Sequence, residues 1–317
     1  HKVLINDTLK KSMGFDGIVV TDWKGYSRFG KNDVIHAGVD MVMAVDGDLD
    51  VFQKGLHSAV VKDSVSLERI NDAVQRILRQ KFRLGLFKNP YPEPSLIPKI
   101  GSKSHRDKAR QAVRESLVLL KNKDKILPID TGIEKIVVVG EHADNSGLQS
   151  GGWTINWQGI EENYAGATTI LEGIKSIAKG SVVYDKEATG KHFDADIAII
   201  VIGETPYAEM FGDIKEGAGE RKLTLSKTHQ EYISTYTKKG VKTVVVLISG
   251  RPLVTSDQIH QSDAFVAAWL PGSEGGGIAE VIFGDYNFKG KLPHSWPESV
   301  EDFKGKYGVN FWDTSIN

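Results

Sequence analysis

The sequence contains no cysteine, only four methionines and no surplus of either charge, with 40 Lys and Arg against 41 Asp and Glu. The missing thiol excludes disulfides, thiolate metal sites and a cysteine nucleophile. Near neutrality removes the electrostatic footprint expected of a nucleic-acid or membrane-surface binder, and no run of Lys and Arg restores it locally. No stretch approaches the roughly 20 apolar residues of a membrane span. The opening HKVLINDTLKKSMGF has neither a signal-peptide core nor an initiator Met, so the chain is expected to begin partway through a longer product. Nucleotide signatures are absent too: VVVGEHADNSG lacks GxGxxG spacing, and GxxxxGK[ST] occurs nowhere. Without HExxH or closely spaced His pairs nothing supports a metal, and without GxSxG nothing supports a serine hydrolase. No cofactor is expected.

What remains is an ordinary globular composition, 40% hydrophobic and 26% charged over 317 residues. That length suits one large or two medium domains. The apolar runs 17–21 and 39–45 read as buried parallel strands, with a helix near 31–37 between them. Leu67, Ile70, Val74, Ile77, Leu78 and Phe82 recur at helical spacing. Residues 88–103 (KNPYPEPSLIPKIGSK) hold four prolines and read as a linker. Beyond it, Ala109 to Leu120 reads as one more amphipathic helix. Strands are then expected at 135–140, 181–184, 196–203, 242–249 and 264–270, and helices at 169–178, 228–238 and 276–282. Apolar strands alternating with helices predict a three-layer α/β domain.

Three stretches carry candidate chemistry. GFDGIVVTDWKG ends a strand on Asp22 and Trp23, and functional groups of parallel α/β folds gather at such carboxyl ends. A loop cap is the plainer role for the Asp, but the adjoining indole offers a platform for the apolar face of a sugar ring. GGWTINWQG places Trp153 and Trp157 between glycines, a setting that suits ligand stacking better than core packing. GETPYAEMFGD follows an apolar strand with three acids, Glu204, Glu209 and Asp213, and leads toward Gly217–Gly219. Such a loop is usually just solvated; after a central strand, one acid becomes a plausible acid/base group.

Taken with AGVDMVM (Ala37–Met43), RILRQKFRLGLFKNPY (Arg76–Tyr91), LPGSEGG and GKLPHSWP, these stretches resemble glycoside hydrolase family 3, the β-glucosidases and β-glucan exohydrolases, in the family's own order. The resemblance implies the last strands and helices of a (β/α)8 barrel at 1–87, the linker at 88–103, and an α/β sandwich domain at 104–317. It implies retaining, exo-acting hydrolysis of β-glucosidic bonds, with Asp22 matching the nucleophile and Glu209 the acid/base. Glu204 is the runner-up on the same loop. Trp23 and Trp157 match a pair that clamps the sugar, Arg28 a substrate-contacting arginine, and Trp153 a neighbouring aromatic. The partners implied are a β-glucoside or oligosaccharide and a missing amino-terminal barrel half, in the same longer chain or a separate one. By itself the chain is then expected neither to close a barrel nor to turn over substrate. β-Xylosidase, N-acetylglucosaminidase and a non-catalytic carbohydrate-binding protein are the alternatives, and a periplasmic or secreted location fits the family. Lys24, where relatives often carry an acid, and the tail GKYGVNFWDTSIN depart from the pattern.

Overall fold

The computed structural model describes residues 1–45, 47–213 and 222–303, and the chain divides into two compact units, His1–Ile97 and Pro98–Asn317. The glycines at 217–219 and the tail from 305 onward lie outside the described residues.

The first unit opens on a π-type helix, Val3–Ser12. It continues through β1 (Val20–Trp23), α1 (Gly25–Arg28), α2 (Asn32–His36), β2 (Met41–Met43), α3 (Asp48–Val61) and α4 (Leu67–Arg83). β1 and β2 pair in parallel, Val20 opposite Met41 and Trp23 opposite Met43. The expectation of buried strands over 17–21 and 39–45 is corrected here. Both strands are shorter, and Val20 and Met41 are 45% and 46% exposed. The two strands make up this whole sheet among the described residues, so they lack the flanking strands and covering layers that bury a larger parallel sheet. A small core gathers Tyr26, Ile35, Ala59 and Val65, with Phe52 edge-on to Tyr26. Its polar anchor is Asp40, whose enclosed carboxylate accepts from Lys10 at 2.5 Å, from Arg69, and from the Val19 N–H at 3.0 Å. That one side chain ties the opening helix, α4 and the approach to β1 together. α4 starts where Ser66 Oγ accepts from the Arg69 N–H. Its apolar stripe is only partly covered, with Val74, Leu78 and Phe82 exposed.

The second unit runs α5 (Lys103–Ser116), β3 (Val118–Asn122), β4 (Lys135–Val139), α6 (Ile170–Ile177), β5 (Ser181–Asp185) and β6 (Ile197–Gly203). α7 (Lys227–Thr237), β7 (Lys242–Ile248), α8 (Ser256–Gln261), β8 (Ala264–Trp269) and α9 (Gly276–Ile282) follow. The helix expected through Leu120 ends at Ser116. Leu117 is fully buried, and the apolar run after it pairs antiparallel with β8 as an edge strand. A four-residue apolar run fits either element, and the free edge of β8 decides it. Strand order is β3-β8-β7-β6-β4-β5, every neighbouring pair but β3–β8 being parallel.

β6 and β7 are unbroken apolar runs because both faces of the sheet are covered. Ile197, Ile199 and Val201 share one cluster with Ile170, Ile174, Ile278 and Ile282 of α6 and α9. Ala198, Ile200 and Ile202 share the other with Ile233 and Tyr236 of α7. The result is a helix–sheet–helix α/β unit. α6 is nucleated by a capping box, Thr169 with Glu172, and packs closely on α9: a Cβ added to Gly173 would sit 2.7 Å from Gly276 Cα. α5 adds Arg106 and Arg110 onto the fully buried Glu274 at 2.8 and 3.1 Å, and Arg110 and Arg114 onto Glu280 at 3.3 and 2.7 Å.

The chain leaves β4 for β5 by way of α6 on one face, and leaves β6 for β7 by way of α7 on the other. This reversal opens a crevice at the carboxyl ends of β4 and β6, the place where doubly wound sheets bind ligands.

Candidate active site

In the first unit, Asp22 and Trp23 stand exposed at the end of β1, with Asp22 Oδ1 accepting from the Trp23 N–H at 2.7 Å. The chain turns sharply behind them. Lys24 adopts a left-handed φ of 54°, and a Cβ on Gly25 would come within 2.4 Å of Thr21 Cβ. Asp22 borders a cleft of about 650 Å³ with Thr21, Phe29, Asp33 and His36. Arg28 closes α1, its guanidinium 5.4 Å over the Phe29 ring.

In the second unit, the loops following β4 and β6 interlock. The Gln158 side-chain amide pairs with the backbone of Ala208 at both ends: Nε2 donates to the carbonyl at 3.3 Å and Oε1 accepts from the N–H at 3.0 Å. Gly152 lies so close to the other loop that an added Cβ would stand 2.1 Å from the Tyr207 carbonyl oxygen. Trp157 meets Phe211 edge-on at 5.5 Å and lies 6.4 Å from Trp153. Both indoles are exposed, Trp153 more so, so their faces are open for stacking. Glu209 is exposed on a cleft of about 290 Å³ that it shares with Trp153, Tyr207 and Leu270. Trp153, Ile155 and Glu209 all adopt positive φ, at 60°, 66° and 52°. Such backbone costs about 1–3 kcal/mol per residue and persists only where its surroundings enforce it; here the two loops hold each other.

The two acids of the second loop are differently placed. Glu204 is a tenth exposed, 3.2 Å from the Arg251 guanidinium, and accepts from the Tyr207 hydroxyl at 3.3 Å. Arg251 in turn stacks 4.4 Å over the Tyr207 ring and donates to the Gly212 carbonyl at 2.8 Å. Burial first, and the Glu204 charge second, push the Tyr207 hydroxyl above its usual range. Glu204 is thus held against Arg251 and Tyr207, while Glu209 is exposed.

Sequence reasoning missed a further cluster at this end of the sheet. Glu141 and His142 follow β4 in a short 3-10 turn, and His229 enters from the first turn of α7. Glu141 Oε1 lies 2.7 Å from His229 Nε2 and 3.5 Å from His142 Nδ1. Burial would raise the Glu141 carboxyl, but the neighbouring His142 and His229 imidazoles and a bond with its own backbone carry it well below the usual carboxylate range. His229 is 88 residues from Glu141, so no local spacing exposes the trio. The only signal was a Glu-His pair directly after a central strand.

Family models account for most of the chain: glycosyl hydrolase family 3 N terminal domain matches residues 1–80 and glycosyl hydrolase family 3 C-terminal domain matches 117–315. A lysosomal beta glucosidase of Dictyostelium discoideum is 31% identical across 98% of this chain and 42% of its own length. A periplasmic beta-glucosidase of Salmonella typhimurium is 31% identical across 94% and 44%. Among solved structures, an exo-1,3/1,4-beta-glucanase from a Pseudoalteromonas species superposes with a TM-score of 0.85 at 37% identity, over 93% of this chain and 50% of that one. The chain therefore spans less than half the length of these curated relatives.

Proposed function

Since the chain belongs to glycoside hydrolase family 3, we propose that the protein carrying it removes glucose from the ends of β-glucosides and β-glucan oligosaccharides with retention of configuration, Asp22 acting as nucleophile and Glu209 as acid/base. The supporting observation is the contrast within the loop after β6. Glu204 is engaged with Arg251 and Tyr207, whereas Glu209 is exposed beside Trp153. In the first step the Asp22 carboxylate attacks the anomeric carbon while the glycosidic C–O bond breaks, and Glu209 gives its proton to the departing oxygen. In the second, water attacks the glycosyl–Asp22 ester, Glu209 takes the proton, and the carboxylate is released. The chemistry needs the two carboxyl groups roughly 5–5.5 Å apart across the bond. Trp23, Trp153 and Trp157 supply stacking faces, and Arg28 a donor for sugar hydroxyls. In this reading residues 1–87 are the carboxyl-terminal part of a (β/α)8 barrel, 88–103 the linker and 104–317 the sandwich domain, with an amino-terminal half supplying the remaining barrel strands. A periplasmic or secreted location accompanies it; no helix among the described residues is long and apolar enough to cross a membrane.

An activated 2-deoxy-2-fluoro-β-glucoside tests the assignment in the complete protein. The expected result is one covalent adduct on the peptide containing Asp22, with Glu209→Ala slowed most on poor leaving groups and rescued by azide. An adduct elsewhere, or azide rescue of Glu204→Ala instead, overturns it. A relative from Formosa agariphila, 27% identical, is a beta-xylosidase; a higher kcat/KM on aryl β-xyloside than on aryl β-glucoside would shift the substrate accordingly.

A further inference from the structure

Glu141, His142 and His229 lie outside the sugar chemistry assigned above. His142 is 1% exposed, and its Nε2 stands 3.2 Å from the backbone oxygen of Glu204. A carbonyl oxygen only accepts, so Nε2 carries a hydrogen toward it, and Nδ1 is the ring's other polar atom. That Nδ1 is buried, has no hydrogen-bond partner among the described residues, and faces Glu141 Oε1 at 3.5 Å. A buried, unpartnered imidazole nitrogen beside a carboxylate oxygen is a pair of donors suited to a cation. His229 Nε2 completes the group from the other side, 2.7 Å from the same oxygen. The three ligand atoms all lie within 4.8 Å of one another.

We propose that Glu141 Oε1, His142 Nδ1 and His229 Nε2 form a binding site for a divalent transition-metal cation of the zinc class. Two imidazoles and one carboxylate are a borderline donor set that suits zinc or cobalt better than calcium or magnesium. The separations of 2.7 and 3.5 Å bracket the ~3.3 Å ligand–ligand edge of a tetrahedron built on zinc–ligand distances of about 2.0–2.1 Å. The hydrogen bond from His142 Nε2 to Glu204 is the outer-shell contact that fixes the ligating tautomer. Glu141 and His229 border an open cleft of about 790 Å³, which gives a fourth position access to water. The ion would take the place of the hydrogen between His229 Nε2 and Glu141, with the imidazole hydrogen carried on His229 Nδ1. Because the Glu204 carbonyl begins the loop bearing Glu209, the ion would brace that loop from beneath. The site itself does not depend on the proposed glycosidase activity.

Calorimetric titration of the metal-stripped full chain with zinc chloride tests the site, with cobalt chloride as the spectroscopic probe. The expected result is a single zinc equivalent, intense visible bands of four-coordinate cobalt, and a zinc-dependent rise in melting temperature. Glu141→Gln and His229→Gln should each weaken zinc at least ~10-fold. Absence of stoichiometric zinc in the unmutated chain, or unchanged binding in His229→Gln, overturns the proposal. Should the variants not fold, nitrogen NMR of His142 in the unmutated chain decides. A Nδ1 resonance that moves on adding zinc supports the site, and one that does not move sinks it.

Discussion

Gln158 grips Ala208 with both ends of its side-chain amide, one residue from Glu209. Gln158→Ala removes both bonds and leaves a backbone N–H and carbonyl unmatched, so kcat/KM on an aryl β-glucoside should fall about ten- to a hundredfold, read by steady-state kinetics. A second residue-scale expectation concerns Asp185, which accepts from the Tyr236 hydroxyl at 2.7 Å and the Thr189 N–H at 2.9 Å. Burial opposes its ionisation, yet these bonds hold the carboxyl below its usual range. A lowered folded-state pKa stabilises the fold above the unfolded value near pH 4 and loses that contribution as pH falls through the folded one. Tyr236→Phe should therefore cost about 1–3 kcal/mol at neutral pH and move the acid-unfolding midpoint upward, measured by circular dichroism against pH. The sequence separated Glu209 from Glu204 only by motif likeness. Their difference in environment comes from Arg251, more than forty residues downstream of either, and no local pattern carries that.

At the scale of elements, α6 and α9 meet through glycine. A Cβ at Gly173 would stand 2.7 Å from Gly276 Cα and 3.2 Å from Ala279 Cβ, so Gly173→Ala should force the helices apart and cost about 1–3 kcal/mol in urea denaturation. Strands β4, β6 and β7 were legible as unbroken runs rich in β-branched residues, and β8 as a short unbroken apolar run. β3 was not, since Leu117 to Leu120 suits a helix face as well as a strand, and pairing with β8 is a non-local fact. α3 carries neither a strong stripe nor a cap hydrogen bond and left little trace in the sequence. The Trp153–Trp157 loop was legible from its flanking glycines; its grip on the loop after β6 was not.

Over the whole molecule, the units differ in how they are built. The larger one holds two clusters of fully buried side chains against its six-stranded sheet, while the smaller rests on Tyr26, Ile35, Ala59, Val65 and the Asp40 ion cluster. Calorimetry of the chain should resolve two transitions, the first unit melting earlier. Asp40→Ala should lower only that first transition, by about 3–5 kcal/mol, because Lys10 and Arg69 lose their enclosed counter-ion. The clasp between the loops after β4 and β6 also bears on inheritance. A segment that touches its neighbour through Gly152 and Gln158 cannot be exchanged alone. Swapping 151–159 from a relative without its matching 204–212 should give a protein that folds its sheet but misplaces its indoles, so altered sugar preference in this lineage would have to be acquired by both loops as one unit.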